Sequence, residues 1–127
     1  MNAPYRALIA FGRDDDVAVF RSLDEASGWM EAPDVDAGEY VALFTDSGIV
    51  VHASTEADRV VLTITDERVE TGLRARIREY QRRTGASESE DPLEFARHEL
   101  HREWQQRWPR RPQWLARRVH GDRPPEI

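Results

Sequence analysis

Arginine and tryptophan residues alternate near the end of the chain, and this is the residue pattern in the sequence that is best suited to bind a partner. Indole faces attract guanidinium groups, and the same two groups can stack on nucleobases and neutralise phosphates. They are also the side chains that dominate the centres of protein interfaces. The candidate partner-binding residues are Arg102, Trp108, Arg110, Arg111, Trp114, Arg117 and Arg118.

The charge distribution separates this segment from the rest of the chain. Residues 1–67 carry a net charge of −10, residues 97–127 carry +4, and the whole 127-residue chain carries −6. Because a body of this charge repels a polyanion, we expect a protein partner, or a second copy of the chain, rather than a nucleic acid. Docking of the basic segment on the chain's own acidic residues is the third interpretation.

Histidine and carboxylate side chains at helical spacing raise the question of a metal site. Glu94, His98 and His101 would share one helical face, but a zinc-protease helix needs a second histidine four residues after the first, where Arg102 stands. Three ligands without a fourth are more typical of a solvated helix face. We therefore predict no metal and no cofactor.

Other chemistry-bearing residues have simpler interpretations. Asp14–Asp16 and the pair Asp34 and Asp36 fit solvated turns, and an EF-hand starting at Asp34 would need Glu where Thr45 stands. His52 lies in a predicted strand without a supporting motif. Since the chain has no glycine-rich phosphate loop and no nucleophile elbow, we predict no catalytic residue and favour a non-enzymatic role.

Short β-prone stretches separated by polar turn residues predict a largely antiparallel sheet of about five strands. Ser22 and Glu25 form a capping-box pattern for a short helix, which should end before a polar loop over 33–38. The predicted strands span residues 5–12, 17–21, 39–45, 49–54 and 59–65.

Two longer helices follow the strands. Val69, Leu73, Ile77 and Tyr80 recur at helical spacing before Gly85, which predicts a helix of four to five turns with a glycine C-cap. Asp91 and Pro92 are typical of an N-cap and a first helical residue. The second helix should bury a stripe of Leu93, Ala96, Leu100 and Trp104.

These elements predict one α+β domain over 1–127, with helices packed on one face of the sheet. Residues 1–85 would form the acidic sheet-and-helix body, and 91–120 a basic helical extension. The alternating aliphatic face of Val60, Leu62 and Ile64 should be buried together with Leu73 and Ile77.

Composition narrows the class of protein further. With no cysteine there is no disulfide framework or thiol nucleophile, and no apolar run approaches the roughly 20 residues that span a bilayer, so we expect a cytoplasmic protein without a membrane partner. All 18 basic residues are arginine, as a GC-rich bacterial genome would favour. Our hypothesis is a small bacterial protein-binding module, such as a regulator, an adaptor or an immunity-type inhibitor. The alternative is a nucleic-acid-associated protein that binds through its C-terminal Arg/Trp element.

Overall fold

The computed structural model describes residues 5–14, 16–85, 90–107 and 127. In this part of the chain the secondary-structure elements are, in chain order, β1 (Leu8–Gly12), β2 (Val17–Phe20), α1 (Leu23–Trp29), α2 (Ala32–Asp36), β3 (Tyr40–Thr45), β4 (Ile49–Glu56), β5 (Arg59–Arg68), α3 (Glu70–Thr84) and α4 (Pro92–Arg107). The strands form one antiparallel sheet of order β2-β1-β3-β4-β5. The predicted α+β class with a largely antiparallel five-stranded sheet is confirmed.

Strand β1 is buried on both of its faces. Leu8, Ile9, Ala10 and Phe11 are consecutive, and each is at most 6% exposed. Because side chains alternate along a strand, Ile9 and Phe11 enter one hydrophobic cluster, while Leu8 and Ala10 enter another on the opposite face. The sheet therefore separates two cores.

Helices cover both faces of the sheet. The long helices α3 and α4 pack together on the Ile9 side through Leu73, Ile77, Phe95 and Leu100. The short helices α1 and α2 lie on the Leu8 side, where we expected none, and bury Ala26 there. Since α1 contacts both β2 and β5, which are the two edges of the sheet, the sheet curls around this second core.

The aliphatic face of β5 joins the second core and not the first. Val60, Leu62 and Ile64 do alternate with more exposed residues, but they are half-buried and pack with Leu8 and Leu43. Our expectation that they are buried together with Leu73 and Ile77 is wrong. The reason is that this face of β5 lies on the side of the sheet that α1 and α2 cover, whereas Leu73 and Ile77 pack on the opposite side.

Most of the predicted helix ends occur where the sequence indicated. Ser22 caps α1 by accepting from the Glu25 amide at 3.1 Å, although the Glu25 carboxylate bonds Arg21 and does not return to Ser22. Gly85 ends α3 with φ of +68°, and Asp91 caps α4 through the Glu94 amide at 3.0 Å. Residues 33–36, which we expected to belong to a loop, are part of α2, because a proline is tolerated in the first turn of a helix.

The buried face of α4 is rotated from the predicted stripe. Ala96 and Leu100 are buried as expected, whereas Leu93 and Trp104 are half-buried. The centre of the face is Phe95, which is fully buried and packs edge-on against Tyr80 with ring centroids 5.7 Å apart. The aromatic contact with α3 sets this rotation.

We predict that Phe95→Ala destabilises the fold by about 3–5 kcal/mol, because the lost ring leaves a cavity between α3, α4 and the sheet. Leu62→Ala, on the half-buried face of β5, should cost less than about 2 kcal/mol. Denaturant unfolding of both variants measures the two values. Equal losses would contradict the assignment of Phe95 to the centre of a core and of Leu62 to its margin.

Candidate functional site

A β-bulge in β3 separates two surfaces of different charge. Phe11 pairs with Ala42, and Gly12 pairs with Tyr40, so Val41 is an extra residue without a partner in β1. Tyr40 packs against the core that α1 and α2 cover, whereas Val41 lines a cleft beside α3 and is 51% exposed. The extra residue shifts the alternation of β3, so that Val41 lies on the same side of the sheet as Ala42 and Tyr40 lies on the other side.

The acidic surface is the group of carboxylates around Tyr40, namely Asp16, Glu31, Asp34 and Glu39. The pKa of the Tyr40 phenol is raised above its ordinary value of 10.0, first by partial burial and then by the negative charges of Asp34, Asp16, Glu31 and Glu39 in that order. Four carboxylates from three different segments thus converge on one phenol.

Among the residues that the structure describes, three of the four carboxylates of the acidic surface have no arginine partner. Glu39 pairs with Arg13 at 2.6 Å. Asp16, Glu31 and Asp34 have no arginine within ion-pair distance among the residues that the structure describes. Trp29, two residues before Glu31, is 49% exposed and packs against Phe20 with ring centroids 5.5 Å apart and the ring planes tilted by 54°.

The cleft lies on the other side of the bulge, between β3, the β1–β2 turn and α3, and has a volume of about 200 Å³. Phe11, Val41 and Tyr80 give it an apolar lining. Three arginines, Arg13, Arg76 and Arg83, also line it, together with Asp16 and Glu79. Arg76 lies over the Phe11 ring, with its guanidinium carbon 5.9 Å from the ring centroid, at the distance of a cation–π contact.

A buried polar cluster connects α3 to α4 behind the cleft. The Glu99 side chain is 5% exposed and accepts from Arg102 Nη2 at 2.7 Å and from the Tyr80 hydroxyl at 3.2 Å. Glu99 Oε1 and Arg102 Nε have no hydrogen-bond partner in the described structure. Burial, and next the charge of Glu99, raise the pKa of Tyr80 despite the opposing effect of Arg102.

Arg102 is the one predicted partner-binding residue whose position the structure describes. We expected its side chain to face outward, but it is 38% exposed and donates to both Glu99 and the Tyr80 hydroxyl. Burial opposes the charge of this guanidinium, yet the hydrogen bond and charge of Glu99 outweigh that effect and raise the pKa of Arg102. The other candidates lie outside the described residues, and they are Trp108, Arg110, Arg111, Trp114, Arg117 and Arg118.

The histidines do not assemble into a metal centre within the described ranges, where no three His, Asp or Glu side chains are arranged to hold an ion. His101 contacts Gln105, with 3.0 Å between their nitrogens, and its ring stacks on Trp104. His52 is an exposed residue of β4. The described part of the chain also contains no helix long and apolar enough to cross a membrane.

Comparisons with protein families, curated proteins and solved structures found no match to this chain. The candidate sites therefore rest on their geometry. Sequence reasoning missed Trp29 and Tyr40, although Trp29 stands two residues before Glu31 and next to Gly28, which weakens α1. A tryptophan beside a helix-weakening glycine and close to a carboxylate was the signal from which the sequence could have indicated Trp29.

We predict that Asp34→Asn lowers the pKa of Tyr40, because Asp34 is the carboxylate that raises it most. A raised pKa means that the folded state retains the proton, so this contribution to stability is complete below pH 10 and is lost as the pH rises through the folded pKa. Phenolate absorbance, with Tyr40→Phe to assign the transition, measures the shift. Asp58→Asn is the control, since Asp58 does not act on Tyr40 and its backbone φ of 62° suits asparagine.

We predict that Arg102→Leu destabilises the fold by about 1–3 kcal/mol, because the buried Glu99 carboxylate loses its charged donor. Arg97→Leu removes the same charge from an exposed position of α4 and should have little effect. Adding Glu99→Gln to Arg102→Leu should recover part of the loss in a double-mutant cycle of unfolding free energies. Additive losses would contradict a coupled pair.

Proposed function

We propose that this chain is a non-enzymatic protein-binding module that docks its acidic surface on a basic protein. The carrying observation is the convergence of Asp16, Glu31, Asp34 and Glu39 on Tyr40, where Glu39 alone has an arginine partner among the described residues. A bacterial, cytoplasmic regulator, adaptor or immunity-type inhibitor is the class that we favour.

Uncompensated like charges cost stability, and a binding partner of opposite charge removes that cost. Asp34 and Glu31 lie on or next to α2, while Asp16 follows the β1–β2 turn and Glu39 precedes β3. The repulsion among them is consistent with selection for binding. A negative surface accelerates encounter with a basic partner and excludes acidic ones.

Trp29, two residues before Glu31 in the chain, supplies an exposed apolar side chain. Its side chain is 49% exposed, and its contact with Phe20 holds the ring against the body of the protein. Tryptophan and tyrosine are enriched at the energetic centres of protein interfaces because they bury a large area with few rotatable bonds. We assign this role to Trp29 and to Tyr40, around which the carboxylates of the acidic surface lie.

Nucleic-acid binding through the C-terminal Arg/Trp element remains the alternative hypothesis. The acidic body opposes a polyanion, and Arg102 already donates to Glu99 within the fold. These two observations favour a protein partner.

The decisive experiment is affinity purification from a lysate of the native host on the immobilised full chain, with proteins and nucleic acids both identified. We expect the immobilised wild-type chain to retain a protein with a basic surface, and to retain more of it at low salt than at high salt. The double variant Asp34→Asn/Glu31→Gln and the variant Trp29→Ala should each lose that partner.

The control for this experiment is the double variant Asp58→Asn/Glu56→Gln, which removes the same charge at the β4–β5 hairpin and should retain the partner. Circular dichroism of all variants verifies that each one folds. Retention of DNA or RNA that is insensitive to the acidic-surface substitutions but lost in Arg110→Gln/Arg111→Gln would overturn the proposal. So would a protein partner that every acidic-surface variant retains equally.

A further inference from the structure

We propose that the cleft between the β3 bulge and α3 is a second binding site, which takes an acidic–apolar peptide segment of a protein partner. An apolar side chain of the peptide packs on Phe11 and Val41, and a neighbouring carboxylate pairs with Arg76. Val41 of this site lies on the other side of the sheet from Tyr40, and of the four carboxylates of the acidic surface the cleft includes Asp16. The proposal does not depend on the function proposed for the acidic surface.

The apolar lining of the cleft is fixed by buried structure. Phe11 is 6% exposed and packs edge-on against Phe44, with centroids 6.1 Å apart, so its ring cannot move to fill the cleft. Val41 is held by the bulge with half of its surface exposed. A rigid apolar floor with an exposed valine at its edge favours an apolar side chain as occupant.

The charged residues that line the cleft favour a ligand that carries a carboxylate. Arg13 pairs with Glu39 at 2.6 Å, and Arg83 pairs with Glu79 at 3.0 Å. Arg76 has a cation–π contact with Phe11 and no carboxylate partner among the described residues. A guanidinium that is oriented by an aromatic ring and has donors available is suited to bind a carboxylate in a planar fork.

The size of the cleft points to a side chain of a larger ligand. Its volume is about 200 Å³, below the range of about 300–1,000 Å³ that is typical of pockets for drug-sized ligands. Asp16 and Glu79 at its rim disfavour a ligand with several negative charges, such as a nucleotide. A peptide with one apolar residue next to one carboxylate matches both the volume and the charge of the cleft.

The test uses the fluorescently labelled full chain on an array of short capped peptides with random flanks. In one arm Leu, Val or Phe neighbours Asp or Glu, and in the matched arm the acid is replaced by Asn or Gln. We expect the peptides of the acidic arm to retain the labelled chain. On the best of these peptides, fluorescence anisotropy should show that Arg76→Gln lowers the affinity about tenfold. Arg97→Gln, with the same change of charge at an exposed site of α4, should bind like the wild type.

Two further measurements assign the site. The methyl resonances of Val41 should shift on peptide addition, and Val41→Asp should abolish binding by placing a negative charge on the apolar floor. Asp34→Asn should leave peptide binding intact, so failure here and failure of the acidic surface can be told apart. Equal retention in the two arms of the array, or binding that Arg76→Gln and Val41→Asp leave unchanged, would overturn the proposal.

Discussion

Burial of β1 on both faces is the constraint on which the rest of the structure depends. Four consecutive apolar side chains cannot be covered by one layer, because they alternate across the sheet. The long helices α3 and α4 cover Ile9 and Phe11, and the curled sheet with α1 and α2 covers Leu8 and Ala10. Strands β1, β2 and β3 each place buried residues in both cores, and β1 contributes the longest buried run.

Within this layered arrangement, the bulge at Val41 shapes both candidate binding surfaces, the cleft and the acidic surface. Without the extra residue, strict alternation would place Val41 on the same face as Leu43, in the second core. The bulge turns Val41 toward α3 and leaves Tyr40 among the carboxylates. One irregularity of the backbone therefore creates both the apolar edge of the cleft and the acidic surface beside it.

Internal pairing decides which charges remain available for binding. On α3 and its flank, Arg74, Arg78, Arg82 and Arg83 each have a carboxylate partner, and Arg102 bonds the buried Glu99. The exposed ion pairs on α3 contribute little stability, but the two charges of each pair cancel locally. The net charge of a segment is therefore a poor guide to its surface. The acidic residues around Tyr40 stand out because, within the described ranges, Glu39 alone of them has an arginine partner.

The sequence by itself determined the elements other than α2, and their class, because helix caps, turn residues and hydrophobic periods act over a few neighbouring residues. Ser22, Gly85 and Asp91 mark helix ends for local reasons, and the alternation in β5 marks its two faces. Only the tertiary structure decided which core each face enters, since strand order and sheet curvature depend on contacts between distant residues. The same holds for the cleft and the acidic surface, whose side chains come from separate segments and meet only when β1 and β3 pair with the bulge between them.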